Sequence, residues 1–289
     1  MTTPPTVPAN ACDCHVHVFG PVAKYPFDPG RTYTPPDAPL DDLISLHRDL
    51  GIARTVIVQP SPYGSDNRCL LDALRRLNGA GRGVAVINET TSDETLAAMH
   101  EAGVRGVRVN LETAGQHDPK AARLALMCAA QRVARLGWHV QIYTNLRTLA
   151  GLADMILDMP TALVIDHFGR AQGGAGVSQP GFDLLLSLLA SGRIYVKLSA
   201  PYRISQQPDY ADVAPLARAL IDANPNRVLW GTDWPHPGSA AGVPLPVNRV
   251  TPCRAEDNSR ALARCLEWAE TPERARKLLA DNPARLYGF

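Results

Sequence analysis

The chain alternates short apolar segments with amphipathic ones along nearly its whole length. For example, "RTVIVQPS" (54–61) precedes "NRCLLDALRRLN" (67–78), and "HVQIYTN" (139–145) precedes "RTLAGLADMILDM" (147–159). With the opening segment around "NACDCHVHVFG" (10–20), eight strand–helix units follow one another. Strands that alternate with helices form parallel sheets, and nearly continuous apolar strands are buried on both faces. The pattern therefore predicts an α/β protein.

Eight units without a linker between them favour a closed (β/α)8 barrel, the TIM barrel, over a doubly wound sheet. No Rossmann glycine fingerprint or P-loop follows any strand, which further disfavours the doubly wound alternative. We expect one domain over residues 1–289, with a flexible lead-in at 1–9. Two long proline-containing segments, 19–39 and 236–256, are expected at the C-terminal face of the barrel as walls of a substrate site.

Composition excludes several kinds of partner. The formal net charge is +1, so there is no electrostatic reason to expect binding to nucleic acid or to a membrane surface. The first ten residues lack the basic start and apolar core of a signal peptide, and no apolar run approaches the roughly 20 residues that span a bilayer. We expect a cytoplasmic protein that is a monomer or a small homo-oligomer.

The six cysteines predict free, mostly buried thiols and no disulfide framework. Regular strand alternation would place Cys12 and Cys14 on one face and Asp13, His15 and His17 on the other. On that geometry, the two cysteines are expected to pack outward against the helices.

Polar side chains gather where the predicted strands end, which in this fold is the face that carries chemistry. In chain order these residues are His15 and His17, Ser61, Arg108 and Asn110, Tyr143, His167 and Arg170, Lys197, Ser199 and Arg203, and Asp233 and His236. The third strand, near Asn88 and Glu89, adds little.

Three histidines and one aspartate form the strongest candidate site. His15 and His17 are two residues apart and share a face in a regular strand. A single histidine there could be an ordinary hydrogen-bonded strand end, but the pair together with His167 and Asp233 favours catalysis. His236 follows the strand in a loop, and a structural role is expected for it.

Buried cations suggest an anionic substrate. Arg108 lies between Val107 and Val109 in a buried strand, where an unpaired guanidinium is costly, and arginine binds carboxylates in a two-point geometry. Arg203 is a weaker candidate for the same role. Lys197 could reach the site or could pair with a neighbouring acid, and both alternatives remain open. His139 begins its strand at the opposite end of the barrel, so a structural role is expected for it as well.

The sequence resembles the amidohydrolase superfamily, in the branch of the 2-pyrone-4,6-dicarboxylate lactonases. The similarity runs nearly end to end, through "DCHVHVFGP" (13–21), "YPF" (25–27), "VQPS" (58–61), "GVRVN" (106–110), "DHFGR" (166–170), "GTDWPHP" (231–237) and "NPARLYGF" (282–289). The resemblance implies that Asp233 is the general base and that His15, His17 and His167 surround the scissile carbonyl. It implies a substrate-binding set of Tyr33, Ser61, Arg108, Tyr143, Arg170 and Arg203.

Two departures from the family pattern affect which lactone fits. Ala114 stands about where the family lactonase has a second arginine, and Gly238 stands where it has an asparagine.

The same residues leave the metal question open at the level of sequence. His15, His17, His167 and Asp233 would make a zinc set. Metal-using relatives, however, add a histidine at the end of the fifth strand, where this chain has Tyr143. A metal-free enzyme is therefore favoured, with Zn²⁺ or another divalent ion as the alternative.

The expected function is hydrolysis of a carboxylate-bearing lactone, of the 2-pyrone-4,6-dicarboxylate or sugar-acid type. The partner is then the small anionic lactone or its ring-opened acid. One rival is a zinc-dependent hydrolase or decarboxylase on the same barrel, and another is a non-catalytic barrel that binds an organic acid.

Overall fold

The computed structural model describes residues 5–113, 115, 118–238 and 245–289. Ala114, the first residues of the expected lead-in and part of the segment 236–256 lie outside the described residues. Eight parallel strands form one sheet in sequential order, which confirms the predicted barrel. The strands are β1 (Cys12–Val16), β2 (Arg54–Val58), β3 (Gly81–Ala85), β4 (Val104–Asn110), β5 (His139–Tyr143), β6 (Leu163–Ile165), β7 (Ile194–Ser199) and β8 (Val228–Gly231).

Hydrogen bonds between β1 and the segment after β8 close the ring. The amide of Asp233 donates to the carbonyl of His15 at 2.9 Å. The amide of His17 donates to the carbonyl of Trp234 at 2.7 Å. The first and last strands thereby become neighbours, and the residues that follow each of them lie side by side.

The helices pack around the outside of the sheet. They are α1 (Leu40–Leu50), α2 (Arg68–Leu77), α3 (Asp93–Glu101), α4 (Pro119–Val133), α5 (Leu146–Ala150), α6 (Ala153–Asp158), α7 (Phe182–Ala190), α8 (Ala214–Ala223), α9 (Asn258–Ala269), α10 (Pro272–Arg276) and α11 (Asn282–Tyr287). In α2, for example, Leu70 and Leu74 lie on one buried face. That face approaches β3 closely, because a Cβ at Gly83 would lie 2.8 Å from Leu74. Among the described residues, no helix is long and apolar enough to cross a bilayer.

An irregularity in β1 overturns the prediction for the two cysteines. Asp13 pairs with Thr55, but Val16 pairs with Ile57, so β1 carries one extra residue between these points. Such a bulge reverses the alternation of side chains. All six cysteines are free, as predicted. Cys12 and Cys14 nevertheless pack inside the barrel, in a cluster with Val56, Val58, Val84, Val164, Tyr195, Leu229 and Tyr287.

The bulge also separates Asp13 from the histidines. Its carboxylate accepts hydrogen bonds from the amide of Thr232 at 3.0 Å and from the Thr232 hydroxyl at 2.6 Å. It also lies 3.3 Å from the Nε2 atom of His47 in α1. Asp13 therefore links β1 to β8 and to the helical layer, and it does not face the candidate site.

Strand β6 ends at Ile165, directly before the "DHFGR" segment (166–170). His167, Phe168 and Arg170 all have positive φ angles, of 48°, 58° and 60°. Residues other than glycine adopt this conformation infrequently, and consecutive examples occur mostly where function requires them. The Phe168 ring packs edge-on against Trp268, which holds this tight segment against α9.

His139 and the C-terminal helix fill the end of the barrel at which the strands begin, opposite the face that carries the predicted site. The His139 ring lies 5.2 Å from the Tyr287 ring, in an edge-on arrangement. It also occupies the space beside Gly106, where a Cβ atom would lie 2.4 Å from the imidazole. The location matches the structural role expected for this histidine.

The Gly106 contact predicts that Gly106→Ala destabilises the fold. The added methyl group would overlap the His139 ring between two buried strands, so the free energy of unfolding should fall by about 1–3 kcal/mol. Urea unfolding followed by circular dichroism measures the change.

Gly174→Ala serves as the matched control, because its nearest neighbour would be an Asp212 oxygen at 3.9 Å. That variant should stay within about 0.5 kcal/mol of the parent protein. Equal stability of the two variants would contradict this account of the packing.

Candidate active site

A cavity of about 190 Å³ opens at the C-terminal end of the barrel. It is lined by His17, Tyr33, Pro60, Ser61, Arg108, Asn110, Thr113, Tyr143, His167, Arg203, Pro237 and Gly238. Seven of the ten residues predicted from the sequence are therefore in its wall. A larger groove of about 530 Å³ includes Arg108, Val107 and Val109 of β4 together with residues of α4, but it contains none of the predicted catalytic residues.

Asp233 and the two histidines of β1 meet at the floor of this cavity. The Nε2 atoms of His15 and His17 lie 3.5 and 3.4 Å from Oδ1 of Asp233. All three side chains are almost completely buried. The β1 bulge and the closure of the ring produce this arrangement, because they turn both imidazoles inward beside the end of β8.

His17 is fixed by a hydrogen bond to the backbone. Its Nδ1 atom lies 2.8 Å from the carbonyl oxygen of Val58, so Nδ1 carries a proton and donates it to that oxygen. Its Nε2 atom then faces Oδ1 of Asp233 and the cavity.

His167 completes the group of imidazoles. Its Nδ1 atom lies 2.8 Å from the Ser199 hydroxyl. Its ring is 4.6 Å from that of His15 and 5.0 Å from that of Tyr143. The positive φ angles after β6 turn this side chain into the cavity, where the three histidines predicted from the sequence converge.

One oxygen of Asp233 is fully engaged, and the other is not. Oδ2 accepts hydrogen bonds from the Tyr202 hydroxyl at 2.5 Å and from Nη2 of Arg203 at 2.8 Å. Oδ1 has no hydrogen-bond partner among the described residues. Burial alone would raise the pKa of Asp233, but Arg203 and His167 outweigh it and hold the pKa well below its usual value. The carboxylate is therefore ionised at neutral pH.

Asp166 is a central residue that sequence reasoning missed. Its Oδ1 atom lies 3.3 Å from Nδ1 of His15, and its Oδ2 atom accepts a hydrogen bond from Gln141 at 3.0 Å. Burial opposes its charge, but the neighbouring His15 and Lys197 lower the pKa of Asp166. Strand periodicity could have identified it. Asp166 follows Val164 by two residues and therefore continues the inward face of β6.

Lys197, left open by the sequence, pairs with this acid beneath the cavity. It is completely buried, and its Nζ atom lies 3.7 Å from Asp166. It donates to Oε1 of Gln141 at 2.7 Å and lies 3.3 Å from Nδ1 of His15. A proton donated to Nδ1 leaves the hydrogen of neutral His15 on Nε2, which faces the cavity floor.

The three candidate arginines occupy different places. Arg108 lines the cavity, 3.7 Å from Asp166, and its Nε atom has no hydrogen-bond partner among the described residues. Arg203 lines the cavity and holds Asp233. Arg170 lies behind them and donates to the Tyr143 hydroxyl at 3.5 Å and to the Arg203 carbonyl at 3.0 Å. It is not among the described residues that line the cavity.

The outer wall comes from both long segments that were assigned to this face. Tyr33 belongs to the first segment, and burial raises its pKa to about 12. Thr34 next to it pairs with Val250 of the second segment and donates to the Val247 carbonyl at 2.6 Å. His236 lies behind the wall, where it contacts Asn258 at 3.1 Å, as expected for a structural residue.

The same floor offers ligands for a metal ion. His15, His17 and Asp233 form one possible set, and His15, Asp166 and His167 form a second, with ligand atoms within 4.8 Å of one another. Separations of 3.4–3.5 Å from Asp233 Oδ1 to the two imidazoles resemble those between neighbouring ligands of tetrahedral zinc. The first set therefore fits zinc, provided that His15 moves its proton to Nδ1. The four predicted ligands do not form a single group, because His167 belongs to the second set.

Comparisons with known proteins agree with this architecture. A sequence model of the amidohydrolase family matches residues 12–289. A 2-pyrone-4,6-dicarboxylate hydrolase of Comamonas testosteroni is 40% identical, over 97% of this chain and 91% of that protein. A 4-sulfomuconolactone hydrolase of Hydrogenophaga intermedia is 37% identical, over 98% of this chain and 90% of that protein.

A solved structure from Pseudomonas putida superposes with a TM-score of 0.79 at 33% identity, over 96% of this chain and 97% of that chain. It carries a provisional designation as a 2-pyrone-4,6-dicarboxylic acid hydrolase.

The buried imidazoles predict a loss of stability in mild acid. Burial lowers the pKa of His15 from 6.5 to about 4 and that of His139 to about 3. Below pH 6.5 the unfolded chain binds protons at these positions and the folded chain does not, so stability falls as the pH decreases toward 4. Each ring should contribute roughly 2 kcal/mol between pH 7.5 and 5.

Urea unfolding at a series of pH values measures this dependence. Of the two rings, only that of His139 lies away from the cavity, and His139→Gln removes it. The free energy of unfolding of this variant should therefore depend less steeply on pH than that of the parent protein. A free energy of unfolding that stays constant from pH 7.5 to 5 would contradict the burial of neutral imidazoles.

Proposed function

The chain belongs to the amidohydrolase family, and within it we propose that the protein is a lactonase that opens a carboxylate-bearing lactone with water. One observation carries this proposal. An ionised aspartate with an unengaged oxygen lies 3.4–3.5 Å from two imidazoles, at the floor of a cavity that arginines line. This combination supplies a base, hydrogen-bond donors for a developing oxyanion, and a binding group for a carboxylate.

In the proposed reaction, water attacks the lactone carbonyl carbon. Oδ1 of Asp233 takes one proton from the water as the new carbon–oxygen bond forms. The tetrahedral intermediate collapses, the ring carbon–oxygen bond breaks, and Asp233 returns the proton to the leaving oxygen. The products are the ring-opened acid and a regenerated carboxylate.

The three imidazoles are assigned two different roles in this reaction. His15 can donate from Nε2, because Lys197 donates to its Nδ1 atom. His167 can do the same when the Ser199 hydroxyl donates to its Nδ1 atom. We assign them to the carbonyl oxygen, where a well-aimed donor contributes about 3–4 kcal/mol in the transition state. His17 is assigned to the attacking water, because its Nδ1 atom is held by the Val58 carbonyl and its Nε2 atom lies 3.4 Å from Oδ1 of Asp233.

Substrate binding is assigned to the cavity wall. Arg108 would hold the substrate carboxylate, while Tyr33, Ser61 and Tyr143 would contact the ring and its substituents. Arg203 is bonded to Oδ2 of Asp233, so its charge serves the base, and Arg108 is left to bind the substrate carboxylate. Arg170 would act by positioning Tyr143 and the Arg203 backbone.

We propose that the reaction proceeds without a metal. Lys197 beneath His15 favours a hydrogen on the nitrogen that a metal would need, and Tyr202 and Arg203 hold Asp233 through its other oxygen. The alternative is a zinc enzyme in which His15, His17 and Asp233 bind the ion. A zinc ion there would act as a Lewis acid toward the carbonyl and lower the pKa of a bound water. The cytoplasmic location expected from the sequence stays a prediction.

Asp233→Asn tests the assigned base. Because the amide cannot accept the proton, kcat should fall by about 10²–10⁴-fold. The measurement follows acid release from lactones of the pyrone-carboxylate and sugar-acid types.

Asp222→Asn is the matched control, since this exposed aspartate of α8 pairs with Arg274 far from the cavity. It should retain full activity. Full activity of Asp233→Asn would overturn the base assignment. Binding of organic acids with no turnover of any lactone by the parent protein would favour the non-catalytic alternative.

A chelator test addresses the metal. The purified parent protein is treated with EDTA and then assayed for metal content and turnover. It should keep its rate while it holds less than roughly one-tenth equivalent of zinc, which marks a metal-independent site. Loss of turnover that added Zn²⁺ restores would establish the zinc alternative.

A further inference from the structure

We propose that the site is built for a lactone with a single negative charge, and that Glu112 helps to reject a second carboxylate. This inference rests on the proposed lactonase function and refines its substrate class. It rests on the charged groups in and around the cavity, among which one cation lacks an acid of its own.

Two of the four cations near the cavity already have their own acid. Arg203 contacts Asp233 at 2.8 Å. Arg170 lies 4.0 Å from Glu112, which also accepts a hydrogen bond from Asn145 at 2.6 Å. These pairs contribute no net charge for a ligand.

The other two cations share a single acid. Lys197 and Arg108 both lie 3.7 Å from Asp166, one on each of its oxygens. The surrounding groups therefore carry one positive charge in excess. It is available at Arg108, because Arg108 lines the cavity, whereas Lys197 is buried beneath it.

At the positions outside the described ranges, the sequence has no lysine, arginine, aspartate or glutamate side chain to add to this count. Positions 114, 116 and 117 are Ala, Gln and His, and residues 239–244 read "SAAGVP". Apart from its histidines, the described wall of the cavity is charged only at Arg108 and Arg203.

A second carboxylate on the ring would have no excess cation to meet. Behind the wall, Glu112 adds a negative charge beside Arg170, and this charge is weakly screened because the Glu112 side chain is only 15% exposed. An unpaired charge in such a site is strongly disfavoured, and repulsion is an effective way to exclude a competing ligand. The site should therefore prefer the monoanion by at least about tenfold.

The experiment compares kcat/KM for 2-pyrone-6-carboxylate and 2-pyrone-4,6-dicarboxylate, each divided by its rate of hydrolysis by hydroxide. The parent protein should favour the monocarboxylate by tenfold or more. Glu112→Gln keeps an oxygen for Asn145 and frees Arg170, so it should reduce this ratio about tenfold or more by improving use of the dicarboxylate.

Glu267→Gln is the matched control, because it removes one negative charge at an exposed pair with Arg260. Its ratio should equal that of the parent protein. If the parent protein prefers the dicarboxylate, or if Glu112→Gln and Glu267→Gln give the same ratio, the inference is wrong while the lactonase function stands.

Calorimetry with two unreactive acids separates this inference from the proposed function. Benzoate, with one carboxylate, should bind at least about tenfold more tightly than isophthalate, with two, and Glu112→Gln should narrow the difference. If benzoate binds more tightly but neither these pyrones nor any sugar-acid lactone is hydrolysed, the lactonase function is rejected and the charge preference stands. Tighter binding of isophthalate would overturn the preference.

Discussion

The arrangement of the site depends on the hydrogen-bonded seam where the first strand meets the segment after the last. The amides of Asp233 and His17 donate across this seam to the carbonyls of His15 and Trp234. Residues separated by more than 200 positions are thus fixed within hydrogen-bonding distance. Because β1 also carries a bulge, two imidazoles and a carboxylate face the same interior point. Backbone pairing therefore supplies the preorganisation that side-chain contacts alone would achieve only loosely.

Closing the ring encloses charges that must compensate one another. Asp166 lies beneath the histidines, with Lys197 and Arg108 on its two oxygens. Charged groups removed from water are tolerated when they are paired and hydrogen-bonded, and Gln141 adds hydrogen bonds to both Asp166 and Lys197. The same network determines which nitrogen of His15 carries its hydrogen. The support beneath the site thus influences its chemistry, including whether the floor suits a metal ion or a carbonyl oxygen.

Much of this organisation could be predicted from the sequence. Strand–helix alternation gave the barrel, and strand ends gave the convergence of His15, His167 and Asp233 from three separate regions. The face of the cysteines could not be predicted, because a bulge adds one residue without a local compositional signal. Partners such as Tyr202 were missed for a different reason. A tight turn brings its hydroxyl to Asp233, and strand periodicity says nothing about turns.

Chemical labelling of the two thiols of β1 can report whether the barrel is closed. Cys12 and Cys14 are completely buried inside the ring, whereas Cys128 on α4 is exposed. An alkylating reagent therefore modifies Cys128 directly, but reaches the interior pair only when β1 separates from its neighbours. Their labelling rate reports the frequency of that local opening. Since the seam also assembles the floor of the cavity, the same rate measures how often His15, His17 and Asp233 are separated from one another.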